Sequence, residues 1–239
     1  MKHIFSILLF LAFAANARSQ TSSAFTTVDW QSIKNLAAEK PDSIKNLVAR
    51  MLSDNPKMPL SAEESVLAFY GQSILSDANE EPVLAKLIGG KKKPKIEEAV
   101  EIYKKALEIN PLNIEAINFC MQIMLYKLSV GETDPAKSAY VRRLSAVLSR
   151  IFNTILSTGD GSKEHPFYVT RVNDEYTFME QCLGLDRDKR AMQGVTYSNG
   201  NPQDYFVLKK KSDKFDKKEI FFDITRVLET EKKMFGAMK

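Results

Sequence analysis

Up to about residue 157 the apolar residues recur with helical spacing, and beyond it they gather into short runs bounded by turn residues. Ile44, Leu47, Val48, Met51 and Leu52 form one stripe that predicts an amphipathic helix, with Asp42 placed to cap it. Ser61-Ala62-Glu63-Glu64 has the form of a capping box, in which the Ser61 hydroxyl and the Glu64 carboxylate satisfy each other's free backbone amides. It opens a helix through Val66, Leu67, Tyr70 and Ile74. Gly71 lies inside that helix at a cost of about 1 kcal/mol relative to alanine, which predicts a neighbouring helix in close approach. After Asp77 the periodicity breaks through Pro82, Gly89-Gly90 and Lys91 to Pro94. That stretch predicts an exposed insertion with one short helix at Val83 to Ile88.

Ile96, Ala99, Val100, Tyr103, Ala106 and Leu107 share the next helical face, which ends at Asn110-Pro111. Ala99, Tyr103, Ala106 and Pro111 follow one another at intervals of four, three and five residues. This is the spacing of the second helix of a tetratricopeptide unit: small residues admit the partner helix, the aromatic fills the gap, and proline ends the helix. The likeness covers about half a repeat; Ile117 and Met121 then stand where such a unit prefers tryptophan and glycine. The helix 114–128 is apolar almost all round and is expected to be the most buried one. A last long helix, Pro135 to Leu156, shows Tyr140, Leu144, Val147, Leu148, Ile151 and Ile155 as its stripe, with Arg142 and Arg143 pointing elsewhere.

Gly159, Asp160 and Gly161 mark a tight turn, after which strand-like runs appear at Phe167–Val172, Val195–Tyr197, Tyr205–Leu208 and Ile220–Thr225. A helix from Asp174, its expected cap, to Leu183 interrupts them, and a short one is expected at Leu228–Phe235. The expected fold is α+β: a helical layer of five to six helices, partly tetratricopeptide-like, over residues 29–157, then a small antiparallel sheet with one or two helices over 158–239. The two parts are expected to form one compact body.

Charge and composition add the compartment. Lys2 and His3 precede an apolar run, Ile4 to Ala15, and Ala15-Asn16-Ala17 offers the small-x-small pattern of a signal peptidase site. The run is short of the roughly 20 residues of a membrane span. Residues 1–17 are therefore expected to be a cleaved signal peptide and 18–28 a mobile Ser/Thr-rich leader, giving a periplasmic or secreted protein. The first cysteine is Cys120, far beyond a lipobox, so the mature chain is expected to be neither a lipoprotein nor anchored by a transmembrane segment. The formal net charge is +4, with 34 Lys and Arg against 30 Asp and Glu. So weak a positive balance argues against a nucleic-acid partner.

With the elements placed, the chain resembles the exported family grouped as domain of unknown function 4919. The resemblance runs from about Asp29 to Phe235 on Phe69-Tyr70-Gly71, Gly159-Asp160-Gly161, Asp174-Glu175-Tyr176, Gly184-Leu185 and Ile220-Phe221-Phe222-Asp223-Ile224. It implies export and a helix-then-sheet layout, and no activity.

Candidate chemistry is sparse. His165 stands beside Pro166 in a turn region, with no Gly-x-Ser-x-Gly elbow to complete a triad. Asp160 and Ser162 are too few oxygen ligands for a calcium loop. Asp174 and Glu175, adjacent at a helix start, do not face each other across a sugar. Cys120 and Cys182 sit among apolar neighbours as buried thiols would, and export leaves a disulfide open. No catalytic, cofactor-binding or metal residue is assigned. Lys209, Lys210, Lys211, Lys214, Lys217 and Lys218 crowd one hairpin, either as a charged strand edge that discourages sheet association or as a tip for anionic lipid or glycan surfaces. The functional expectation is a non-enzymatic module that binds a protein or peptide partner in the cell envelope, in a groove beside helix 96–109. The alternative is an extracytoplasmic hydrolase whose acids meet only in the fold.

Overall fold

The computed structural model describes residues 25–55, 57–87, 94–131 and 134–237, with side chains as far as 232. The expected signal peptide, most of the leader and residues 88–93 of the insertion, including Ile88 at the end of its expected short helix and Gly89-Gly90, lie outside the described residues. The end of the expected leader is already packed: Val28 is buried, and Thr26 N–H donates to Ser157 O at 2.8 Å.

Six helices come first: α1 (Trp30–Glu39), α2 (Pro41–Leu52), α3 (Ala62–Leu84), α4 (Ile96–Ile109), α5 (Ile114–Ser129) and α6 (Pro135–Thr158). The Asp29 carboxylate accepts from the amides of Gln31 and Ser32 and opens α1. At α2, Pro41 occupies the first turn, where a missing N–H costs nothing, and Asp42 lies inside the helix rather than capping it. The capping box of α3 is made, with Glu64 N–H to Ser61 Oγ at 3.1 Å and Ser61 N–H to Glu64 Oε2 at 2.9 Å.

The central helix is α3, which packs on α1, α2, α4 and α6. Gly71 meets α2 as expected: a Cβ there would lie 2.8 Å from Ile44 Cδ1. Two expectations fail here. The helix does not end at Asp77 but continues through Pro82 to Leu84, because Ser76, Asp77 and Glu80 are buried by polar partners that hydropathy does not register. Helix α5, apolar almost all round, is not the most buried: Ile114, Ile117, Cys120 and Met121 are buried, whereas Ile123 and Met124 are half-buried and Tyr126 is 57 % exposed.

The C-terminal part runs β1 (Phe167–Tyr168), α7 (Val172–Thr177) with a π-helical turn at Phe178–Cys182, β2 (Arg190–Ser198), β3 (Asn201–Leu208), β4 (Glu219–Asp223) and α8 (Thr225–Ala237). The sheet order is β1-β4-β3-β2. The meander β2-β3-β4 is antiparallel, while β1 pairs with β4 in parallel, Phe167 opposite Phe222. The sheet is thus mixed within the expected α+β class. β1 stops at Tyr168, short of the expected Val172, because the Asp174 carboxylate takes the amides of Thr170 and Arg171 at 3.2 and 2.9 Å and turns the chain into α7. Asp174 therefore serves the start of α7 from its first turn, not from the cap position itself. Asn199 (φ 51°) and Gly200 (φ 83°) make the two-residue turn between β2 and β3, both in the left-handed region that such hairpins require.

One continuous cluster of buried side chains draws on both parts, from Ile33 and Ile44 to Phe178, Phe206 and Phe222. Tyr70 of α3 donates its hydroxyl to Tyr168 O of β1 at 2.9 Å, and Trp30 lies edge-on to Tyr70 with ring centroids 5.2 Å apart.

Candidate functional site

Helices α4 and α5, joined by the turn Asn110-Pro111-Leu112-Asn113, pack against each other, and α6 also packs on α5. Ala99, Tyr103 and Ala106 are buried on the inner face of α4, as their spacing predicts. The Tyr103 ring lies 4.4 Å from that of Phe119, and its hydroxyl donates to Glu115 Oε1 at 2.5 Å. Pro111 stands in the turn, just past Asn110, which ends α4.

Between α4, α5 and α6 lies a trough of about 330 Å³. Val100, Leu107, Ile123 and Met124 line it with apolar surface, while Lys104 and Glu108 stand at it as opposite charges. Ile123 and Met124 of α5 face this trough, which accounts for the half-open state of these two residues. Tyr140 contributes an amphipathic ring. Cys120 sits at the base, where burial pushes its thiol up to about 11, so it is protonated and poorly nucleophilic at neutral pH. Cys182 is likewise a buried free thiol, pushed up to about 12 by burial.

Behind the trough the turn is tied to α3 and α7 by a buried ion-pair network. Glu80 is fully buried; its Oε1 accepts from Asn113 Nδ2 at 2.6 Å, and its Oε2 accepts from Asn110 Nδ2 at 3.0 Å and Ser76 Oγ at 2.9 Å. Arg171 reaches both Glu80, at 3.1 Å, and Glu81, at 2.5 Å. A second tie joins α8 to α3, where buried Arg226 pairs with Asp77 and donates to Ser73 O at 3.1 Å. None of Asp77, Glu80, Arg171 and Arg226 stands out in the sequence; the one available signal is that Asp77 and Glu80 fall at i, i+3 on the inward side of α3.

A further set of acids lies between the sheet and α7. Asp174 is buried, and burial raises its carboxyl to about 6 against the opposing hydrogen bonds from Thr170 and the Arg171 charge. Glu175 is fully buried, and burial, with the Asp204 charge beside it, pushes its carboxyl well above the usual range. Asp223, also buried, is raised by burial.

Asp160 lies in the turn at Gly159-Asp160-Gly161. A Cβ at Gly159 would fall 2.3 Å from Pro166 O, and Gly161 has φ 73° with the Phe167 ring against it. Burial favours the neutral form of Asp160, but Lys217 at 2.7 Å and the Ser162 hydrogen bonds outweigh it and hold the carboxyl low. Among the described residues no group of three His, Cys, Asp or Glu is placed to hold a metal ion. His165 is exposed, with its ring 5.0 Å from that of Phe25.

The six lysines divide. Lys217 is pinned on Asp160, whereas Lys209, Lys210, Lys211, Lys214 and Lys218 are exposed. They join β3 to β4, two interior strands, so they do not guard a sheet edge. Phe215 is buried against Gly161, and Ser212 donates to Leu183 O, folding the segment back on the molecule. Near Lys209, a concavity of about 650 Å³ carries Glu180, Asp188, Arg187 and Arg190. Glu180 is paired with Arg190 at 2.8 Å.

The fold and site define an α+β protein whose helical layer carries a largely apolar trough and whose core holds buried, paired charged side chains. The family model of a domain of unknown function (DUF4919) matches residues 32–233, and the chain belongs to that family. No curated protein and no solved structure matches it. Among the described residues, no helix is long and apolar enough to cross a membrane.

Proposed function

We propose that the protein is exported to the cell envelope and acts there as a non-enzymatic module that binds a protein or peptide partner in the trough between α4, α5 and α6. The observation that carries this is the surplus of α5: Ile123 and Met124 exceed what the core needs and lie half-open beside Val100 and Leu107, between Lys104 and Glu108. Adaptable methionine with an aromatic neighbour suits the insertion of an apolar side chain from a partner helix or strand. The tetratricopeptide-like spacing of α4 supports the same reading, since stacked helix pairs of that kind offer concave binding faces.

Photo-crosslinking from position 124 in the intact envelope tests it. A discrete adduct is expected from position 124, none from exposed position 58, and loss of the adduct on Leu107→Glu. Equal adducts from both positions would refute the trough as the seat of binding.

The hydrolase alternative gains little support. Asp174, Glu175 and Asp223 are buried, and of the two acids at the open concavity Glu180 is engaged by Arg190 while Asp188 is exposed. The lysine segment retains its reading as an anionic-surface contact through Lys209, Lys210, Lys211, Lys214 and Lys218, with Lys217 committed to Asp160.

A further inference from the structure

Strand β2 ends the sheet, and among the described residues no strand pairs with its outer side. Edge strands are ordinarily blunted by lysine, proline or inward-pointing charge. Here the stretch Met192-Gln193-Gly194-Val195-Thr196-Tyr197-Ser198 carries no charge and no proline, and the one irregularity lies before it, between Arg190 and Met192. Met192, Val195 and Tyr197 are 53, 61 and 65 % exposed, a concentration of open apolar side chains on one strand.

The direction of the backbone groups follows from the register. Ser198 pairs with Asn201 across a two-residue turn, which makes it a hydrogen-bonded pair, so Ser198, Thr196 and Gly194 turn their amides and carbonyls toward β3. Pro202, opposite Tyr197, confirms the alternation: its carbonyl accepts from Ile224 N at 3.1 Å, on the β4 side. Gln193, Val195 and Tyr197 therefore direct N–H and C=O outward.

We propose that this edge is a homodimer interface, in which β2 pairs antiparallel with β2 of a second copy about a two-fold axis at Val195. A two-fold contact must be self-complementary, and this strand is. Val195 then faces Val195 of the other copy, and Gln193 faces Tyr197, each such pair exchanging two hydrogen bonds. Gly194 meets Thr196 and Met192 meets Ser198, with no like charges opposed; Arg190 falls opposite Gly200. Gly194 also lets the Tyr205 ring lie across the strand, 2.8 Å from where a Cβ would stand, so the edge is flat on that face. The two sheets become one continuous sheet, and each exposed apolar side chain of β2 gains a cross-strand neighbour on its own face.

Sedimentation velocity on the full chain from micromolar to sub-millimolar concentration tests this, with hydrogen exchange at the amides of Gln193, Val195 and Tyr197 read by NMR over the same range. A monomer–dimer equilibrium is expected, with those three amides becoming protected as the dimer forms. Val195→Lys, at an exposed position, opposes two like charges and is expected to raise the half-dimerisation concentration about tenfold or more, equivalent to about 1.4 kcal/mol. Met58→Lys, exposed and remote from β2, is expected to leave it unchanged. A monomer at every concentration, a dimer indifferent to Val195→Lys, or a dimer whose three edge amides still exchange freely would overturn the proposal.

Discussion

Glu175 is fully buried between α7 and β3, and neither of its carboxylate oxygens meets an N–H or O–H donor. Its neighbour is the carboxylate of Asp204, which accepts from Gln193 Nε2 at 2.9 Å, and Gln193 Oε1 in turn accepts from the Tyr176 hydroxyl at 2.7 Å. A proton on Glu175 supplies the missing donor to Asp204, which is why burial and that charge drive its pKa upward. The folded state then holds a proton that the unfolded state releases near pH 4. Above that pH the unfolded chain binds fewer protons, so this group's contribution to stability falls as pH rises toward its folded pKa. Glu175→Gln is therefore expected to match the wild type near pH 4 and to become progressively more stable than it toward neutral pH, in urea unfolding at a series of pH values. A constant difference across pH would contradict the shared proton. Asp174, the preceding residue, was legible as a helix-start residue; that Glu175 is buried against a second carboxylate was not, because Asp204 arrives from a strand far along the chain.

Among the elements, α3 sets the arrangement of the rest. Glu80 gathers Ser76, Asn110, Asn113 and Arg171 onto one carboxylate, joining α3, the α4–α5 turn and the start of α7. Removing one partner of a buried ionic network leaves the others uncompensated and costs about 3–5 kcal/mol. Glu80→Ala is expected to lose that much in chemical denaturation; a loss below about 1 kcal/mol would show the network to be expendable. Gly71 separates two effects at one site. Alanine there gains about 1 kcal/mol of helix propensity but overpacks Ile44, at about 1–3 kcal/mol. Gly71→Ala is expected to be destabilising overall, and Ile44→Val in the same chain to recover part of the loss. The periodicity that located α2, α4 and α6 worked because their stripes are apolar. It failed beyond Asp77 and misjudged α5, because polar residues can be buried when paired, and apolar ones can remain open when they line a trough.

The whole molecule is held by contacts that cross from helices to sheet: Tyr70 to Tyr168, Arg171 to Glu80, Arg226 to Asp77, and the shared aromatic core. Such a core predicts a single cooperative transition. Trp30, the single tryptophan, touches Tyr70 and Tyr168 with centroids 5.2 and 6.5 Å away, so its fluorescence reports the junction. Its unfolding curve is expected to coincide with far-ultraviolet circular dichroism, which is dominated by the helices; two separated midpoints would mean two independent bodies. At the same scale, the exposed lysines predict salt-sensitive binding to anionic vesicles, reduced by replacing Lys209, Lys210 and Lys211 with glutamine. Binding unaffected by salt or by those changes would remove that role. The sequence by itself determined the helix-then-sheet order, the capping box of α3, the tight turn at Gly159-Asp160-Gly161 and the inward face of most helices, since each depends on neighbours within a few residues. Only the tertiary structure decided that α3 is central, that Glu175 faces Asp204, that β1 runs parallel to β4, and that the lysines leave the true sheet edge undefended. Those outcomes depend on which distant segments meet, and local spacing carries no record of them.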